Sequence, residues 1–180
     1  MLLRWPTDRD VEPLFEVFSD SRVTRYWSSP ALPDIGAAVE LLAEMHAGFR
    51  DRRLFQWAIA RREDDRLIGT CTLTSFDAQC RRAEIGFALA HAHWRRGFAG
   101  EALRALIDFA FSELDLNRIE ADVDPRNEAS LRTLERLFFR REGYLRQRWI
   151  VAGEIQDALI YGLIRREWNP HRKEDPCRPT

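Results

Sequence analysis

The residues best suited to chemistry in this chain form the segment Trp94-Arg-Arg-Gly-Phe-Ala-Gly-Glu-Ala-Leu103. It lies between a strand-like run at residues 83–90 and a strongly amphipathic helical pattern. A glycine-bearing turn that opens a helix exposes unpaired backbone N–H groups at the positive end of the helix dipole, and this arrangement suits an anion. Arg95 and Arg96 add positive charge. The segment therefore predicts a site for a phosphate-containing ligand.

Other known anion-binding motifs fit this turn less well. The turn lacks the Gly-x4-Gly-Lys-Ser/Thr pattern of a Walker loop and the third glycine of a dinucleotide fingerprint. Gly97 to Gly100 does spell the Gly-x-x-Gly of an RNA-binding KH loop. That loop joins two helices, whereas a strand precedes the turn here, and a pI near 6.4 disfavours RNA. A purely structural role, in which Gly97 only lets the turn close, stays open.

The hydrophobic pattern around the turn predicts the elements that must position it. Strands are predicted at residues 2–5, 54–60, 67–76, 82–90, 118–123, 143–151 and 154–164, and helices after a cap at Thr7 or Asp8, at residues 35–50, directly after the turn, and at residues 127–137. The order β-α-α-β-β-β-α-β-α-β-β predicts one domain of the α/β (α+β) class, a mixed sheet with helices packed on both faces.

Length and composition restrict the class of protein. The 180 residues, 45% hydrophobic and 32% charged, suit one domain, predicted at residues 1–168, followed by a polar tail at 169–180. A net charge of -1 argues against non-specific nucleic-acid binding, and no apolar run approaches the ~20 residues of a membrane span. Cys71, Cys80 and Cys177 share no metal-ligand spacing, so we expect reduced thiols, no metal and a cytoplasmic location.

Residues 94–102 resemble the pyrophosphate loop of the GNAT acyltransferases, whose pattern is Gln/Arg-x-x-Gly-x-Gly/Ala. Three further segments resemble, in the same order, the RimJ/RimL branch of ribosomal-protein N-terminal acetyltransferases: the fourth strand at residues 83–89, the Asn-x-x-Ser helix from Asn127, and the closing hairpin from Gly153. The resemblance implies a GNAT-like, mostly antiparallel sheet. It also implies direct transfer of an acetyl group from acetyl-CoA to a primary amine in a ternary complex.

The same resemblance implies which residues hold the cofactor. They are Phe87, Ala88 and Leu89 on the strand, Trp94, Arg95, Arg96, Gly97, Phe98, Ala99 and Gly100 in the loop, and Asn127 and Ser130 on the following helix. The strand would pair with pantetheine as an added strand, and the loop N–H groups would hold the pyrophosphate. Asn127 would hold the pantetheine amide, and Ser130 would hydrogen-bond the sulfur. Helix capping fits this last pair as well.

Glu84 is the leading candidate for the catalytic base. Alternation along its strand places Glu84 opposite the apolar Ile85, on a face where a carboxylate can look into the cleft. A solvated residue or the partner of an arginine fits Glu84 nearly as well. Glu120, Asp122, Asp157 and a water chain are the alternatives for the base, and Asp157 and Trp27 are the expected contacts to the amine substrate.

Three positions depart from the family pattern. Leu134 stands where many GNAT enzymes carry the tyrosine that protonates the leaving thiolate. Phe138 replaces a glycine near the start of the sixth strand, and its bulk is expected to alter the packing or the substrate mouth. Arg95 replaces a glycine of many relatives, which is acceptable if the backbone there is ordinary.

The acceptor amine is not specified by these motifs, because a fold does not fix a substrate. A protein N-terminus, a free amino acid, a polyamine and an antibiotic all qualify. A catalytically idle CoA-binding or regulatory module is the alternative from another functional class. We expect no nucleic-acid or membrane partner, and either a monomer or a homodimer.

Overall fold

The computed structural model describes residues 1–169, so the predicted tail and Cys177 lie outside the described residues, apart from Asn169. The strands are β1 (Leu2–Arg4), β2 (Leu54–Ala60), β3 (Leu67–Asp77), β4 (Arg82–Leu89), β5 (Arg118–Val123), β6 (Arg140–Val151) and β7 (Glu154–Ile164). The helices are α1 (Val11–Phe18), α2 (Ser21–Thr24), α3 (Ile35–Arg50), α4 (Phe98–Ser112) and α5 (Glu128–Arg136). None of these helices is long and apolar enough to cross a membrane.

The strands form a single seven-stranded sheet in the order β1-β2-β3-β4-β5-β7-β6. Only β4 and β5 run parallel, and all other neighbours are antiparallel. The predicted mixed, mostly antiparallel sheet with helices is therefore confirmed. The largest differences from the prediction are that α2 was not predicted and that β6 begins at Arg140 rather than at Gly143. The ends of β1, β3, β4 and α5 differ from the predicted ones by one residue. A helix as short as α2 has too little periodicity to be recognised from the sequence.

Two hydrophobic cores lie on opposite faces of the sheet. One packs the sheet against α4 and α5, and the other packs it against α1 and α3. Ile85 and Leu89 of β4 belong to the first core, and Ala88 belongs to the second. Because side chains alternate along a strand, Glu84 and Gly86 lie on the α1–α3 face together with Ala88.

Phe138 is the second residue after the end of α5 and has a left-handed conformation, with φ of 66°. Its N–H donates to the Glu135 carbonyl (3.0 Å), and the Phe139 N–H donates to the Leu134 carbonyl (3.1 Å). These two bonds make a Schellman C-cap, in which this position favours glycine. The Phe138 ring packs against the core beneath α4 and α5. The residue therefore combines backbone strain with apolar packing.

Two variants separate these effects at Phe138. Phe138→Gly is expected to have a free energy of unfolding about 1 kcal/mol higher than that of Phe138→Ala. Both variants lose the ring, but only alanine keeps a Cβ atom in the left-handed conformation. Urea denaturation of the two variants measures the difference, and equal stabilities would show that this turn relaxes without strain.

Candidate functional site

The strands β4 and β5 separate at the centre of the sheet. Their pairing ends at Glu84 opposite Glu120, whereas β4 stays paired with β3 as far as Leu89. The Ala90 N–H donates to the Ile68 carbonyl on the β3 side (2.8 Å). Because backbone polar groups alternate in direction, those of Phe87 and Leu89 point away from β3 and into the gap. An extended ligand can pair there as an added strand.

The turn after β4 leaves the start of α4 open. Gly97 is the N-cap residue with φ of 84°, and no side chain within residues 1–169 caps the helix. The first helical bond runs from the Glu101 N–H to the Gly97 carbonyl (3.1 Å), so the N–H groups of residues 98–100 have no intrahelical partner. Nothing lies within 4 Å of a Cβ atom built at Gly97 or Gly100. The free N–H groups at the positive end of the helix dipole therefore face open space, which suits an anion.

The three residues before Gly97 differ in what they contact. The Trp94 Nε1 donates to the Leu89 carbonyl (2.6 Å), which fastens the turn to the end of β4. Arg95 has φ of 59°, so the condition of an ordinary backbone, under which an arginine is acceptable there, is not met, and the position favours glycine. The Arg96 guanidinium is exposed and lies 5.4 Å from the centroid of the Phe98 ring.

A cavity of about 390 Å³ lies at the β4–β5 gap and is lined from both faces of the sheet. We call its two sides the α5 half, which includes Ile85, Phe87, Asn127, Ser130 and Leu134, and the α3 half, which includes Trp27, Thr72, Glu84, Gly86, Asp122, Trp149 and Gln156. Six of the predicted site residues, Glu84, Phe87, Asn127, Ser130, Asp157 and Trp27, are thereby brought to one cavity. Phe138 does not line it, so the expected effect on the substrate mouth has no support.

Glu84 is a half-buried carboxylate in the α3 half. Burial, followed by the nearby Asp122 carboxylate and more weakly by Glu120, raises its pKa, against a hydrogen bond from Ser75 and the charge of Arg148. The alternative role as the partner of an arginine belongs instead to Glu120, which accepts from two arginines, Arg82 (2.7 Å) and Arg118 (2.8 Å). A carboxyl group with a raised pKa in a cavity is suited to accepting a proton.

Asp122 connects β5 to the hairpin formed by β6 and β7. Its neighbours Ala121 and Val123 face the α4–α5 core, so alternation places Asp122 on the same face as Glu84. Its carboxylate accepts from the Trp149 Nε1 (3.0 Å) and the Arg148 Nε (3.2 Å). These contacts hold a second negative charge beside Glu84.

Asn127 and Ser130 form the predicted helix cap and also face the cavity. The Asn127 Oδ1 accepts from the Ser130 N–H (3.2 Å) at the start of α5. No described group hydrogen-bonds the Asn127 Nδ2 or the Ser130 hydroxyl, and both residues line the α5 half. The helix cap therefore leaves the Asn127 Nδ2 and the Ser130 hydroxyl available to a ligand.

Asp157 and Trp27, the predicted substrate contacts, line the cavity from different elements. The Asp157 carboxylate accepts from the Tyr144 hydroxyl and from the Gln147 N–H (2.7 Å), and these bonds lower its pKa. The Trp27 ring lies 5.6 Å from the Phe18 ring and packs against the core beneath α3. Both contacts to the substrate stay predictions.

Sequence reasoning missed several polar lining residues, among them Thr72, Ser75 and Gln156. Alternation along β3 and β7 was visible in the sequence, but the strand order that brings these positions to one gap was not. Within residues 1–169 no three His, Cys, Asp or Glu side chains form a group able to hold a metal ion.

Comparison with known proteins agrees with this geometry. Residues 1–140 match the family model described as acetyltransferase (GNAT) domain. The chain is 37% identical over 165 residues to the uncharacterized N-acetyltransferase YoaA of Bacillus subtilis (strain 168), covering 92% of this chain and 93% of that protein. A GNAT-family acetyltransferase from Bacillus anthracis matches with a TM-score of 0.81 and 25% identity, covering 92% of this chain and 95% of that one. Mycobacterium smegmatis RimJ in complex with CoA-disulfide matches with a TM-score of 0.83 and 24% identity, covering 92% and 82%. The chain therefore belongs to the GNAT acetyltransferase family and is an acyltransferase enzyme.

Proposed function

We propose that this enzyme transfers an acetyl group from acetyl-CoA to a primary amine by direct attack in a ternary complex. The observation that carries the proposal is the cavity at the β4–β5 gap, which is lined from both faces of the sheet. Two substrates can approach such a gap from opposite sides and meet without a covalent enzyme intermediate. Holding them together supplies much of the catalytic advantage, because it removes the entropy cost of their encounter.

The acetyl-CoA donor is proposed to occupy the turn, the gap and the α5 half. The free N–H groups at the start of α4 suit its pyrophosphate. The backbone of Phe87 and the N–H of Leu89 suit its pantetheine arm, since the Leu89 carbonyl already accepts from Trp94. The free Asn127 Nδ2, which lines the α5 half, is proposed to donate to a pantetheine amide carbonyl. A backbone N–H in the gap would donate to the thioester oxygen as charge develops there, an interaction worth about 3 kcal/mol of barrier. A complex of CoA-disulfide with RimJ, which shares the fold, supports this donor.

The amine acceptor is proposed to enter the α3 half. Glu84 takes a proton from the ammonium, and the freed nitrogen attacks the thioester carbon. The new C–N bond forms as the C–S bond breaks, the attacking nitrogen gives its second proton to the departing sulfur, and CoA leaves as the free thiol. The Ser130 hydroxyl then hydrogen-bonds the departing sulfur, since Leu134 stands where other family members have a tyrosine. The order of the loop and of the Asn127-x-x-Ser130 helix also leads us to propose the RimJ/RimL-like branch.

The release of free thiol from acetyl-CoA tests this function directly. The enzyme is incubated with acetyl-CoA and, separately, with N-terminal peptides, free amino acids, polyamines and aminoglycosides. Thiol release that depends on one of these amines is the expected result. Binding of CoA without amine-dependent release from any of them would contradict the proposal and favour an idle CoA-binding module.

The acid limb of the pH profile is expected to move when Asp122 is changed. The reaction needs Glu84 deprotonated, so activity falls as the pH drops through the pKa of Glu84. Asp122→Asn removes the neighbouring negative charge, which lowers that pKa and shifts the acid limb to lower pH. Profiles of kcat/KM against pH for the two proteins give the measurement. An unchanged limb, or a shift to higher pH, would exclude Glu84 as the titrating base.

A further inference from the structure

Gln156 is a buried amide that the protein leaves without a hydrogen-bond partner. The residue is 7% exposed and lines the α3 half of the cavity. No backbone or side-chain group in residues 1–169 hydrogen-bonds its side chain. The amide atoms themselves are open to the cavity, because the His93 Nδ1 is the only fully buried side-chain nitrogen or oxygen without a partner in residues 1–169. An unpaired amide that faces a cavity is available to a partner from outside the chain.

Gln56 shows what a satisfied glutamine looks like in the same cavity. It is 6% exposed and also lines the cavity wall. Its Nε2 donates to the Thr70 Oγ1 (3.1 Å), so its amide is engaged by the protein itself. The two glutamines have the same side chain and similar burial, but only the Gln156 side chain makes no hydrogen bond within residues 1–169.

The surroundings of Gln156 define the chemistry of that ligand. Gln156 pairs across the hairpin with Trp149, whose indole N–H bonds Asp122 on the same face as Glu84. The two carboxylates in this half suit an ammonium group and repel a carboxylate. An amide side chain offers both donors and an acceptor, so its natural complement is a neutral group with the same pair, such as another amide.

We propose that Gln156 is a specificity-determining residue that hydrogen-bonds an amide group carried by the acceptor next to its primary amine. The inference rests on the proposed acetyl transfer and narrows its acceptor to amines that carry an amide and no neighbouring carboxylate. Sites built to hydrogen-bond a substrate discriminate strongly against analogues that lack the group, because the site is then left with an unpaired buried polar atom.

The test combines one substitution with two acceptor probes, glycinamide and propylamine, each assayed with acetyl-CoA. Gln156→Leu is expected to lower kcat/KM for glycinamide about tenfold, the effect of one hydrogen bond, and to leave kcat/KM for propylamine unchanged. The KM for acetyl-CoA is expected to stay the same. For each amine, the kcat/KM of Gln156→Leu is divided by that of the unaltered enzyme. The different basicities of the two amines cancel in this ratio.

Thermal stability separates this role from a structural one. Gln156→Leu removes an unpaired polar group from a buried position, so its Tm is expected to equal or exceed that of the unaltered enzyme. The matched control Gln56→Leu breaks a bond to Thr70, so its Tm is expected to fall.

Two results would overturn the inference. One is a Tm loss in Gln156→Leu similar to that in Gln56→Leu, and the other is an equal change in kcat/KM for both amines. In either case, amine-dependent thiol release would still stand as evidence for acetyl transfer. If no amine releases thiol in any of the proteins, the proposed function fails, and this inference fails with it.

Discussion

Glu84→Gln is expected to lower kcat/KM for the acceptor by roughly 10²–10⁴-fold, the usual contribution of a general base. Glutamine keeps the size and the polarity of the side chain but cannot accept the proton of the ammonium. Because Glu84 lines the α3 half, away from the turn that is proposed to hold the pyrophosphate, the Kd of CoA is expected to be unchanged. Steady-state kinetics and calorimetric titration with CoA measure the two quantities.

Glu120 provides the matched control for this experiment. It lies opposite Glu84 in the β4–β5 pairing, and its carboxylate is already bound by Arg82 and Arg118. Glu120→Gln is therefore expected to cost some stability while leaving the chemical step nearly intact. If Glu84→Gln kept full activity, a water chain or another carboxylate would have to carry the proton.

Gly100→Val and Gly86→Val are expected to block different substrates. A Cβ atom at either position meets nothing within 4 Å, and neither glycine has a positive φ, so both variants are expected to fold. Gly100 lies in the first turn of α4, where valine would occupy the space proposed for the pyrophosphate. A loss of at least one charged hydrogen bond there raises the Kd of CoA by about tenfold or more.

Gly86 lies in the α3 half beside Glu84, where valine would narrow the space for the acceptor. Gly86→Val is expected to raise the KM of the amine and leave the Kd of CoA unchanged. Titration with CoA and kinetics with a saturating concentration of acetyl-CoA distinguish the two variants. The opposite pattern, in which only Gly86→Val weakens CoA, would mean that the donor and acceptor sides are assigned the wrong way round.

The sequence predicted most of the strands and helices because the residue patterns that indicate them lie within a few neighbouring residues. The strands β2 and β5 and the helix α3 begin and end at the predicted residues. Alternation along β4 correctly placed Glu84 on the face opposite Ile85. The Gly97 turn was recognised because a positive φ and an open helix start depend on a few neighbouring residues.

The sequence did not predict the backbone strain at Arg95 and Phe138. Both are left-handed, although neither is a glycine. Their side chains carry no local signal of such a conformation, because the conformation is imposed by the elements on either side. At Phe138 the helix α5 ends and the chain must enter β6 within two residues. A glycine at this position would meet the same geometric need without strain.

The sequence by itself determined the succession of strands and helices and the glycine turn that opens α4, because hydrophobic periodicity and glycine geometry act over a few residues. Only the tertiary structure decided that β4 and β5 part after Glu84, which opens the gap. Only it brought Asp122 beside Glu84 and left the Gln156 amide unpaired in the same cavity. These properties depend on burial and on charges from strands far apart in sequence, and such long-range contacts exist only once the sheet has formed.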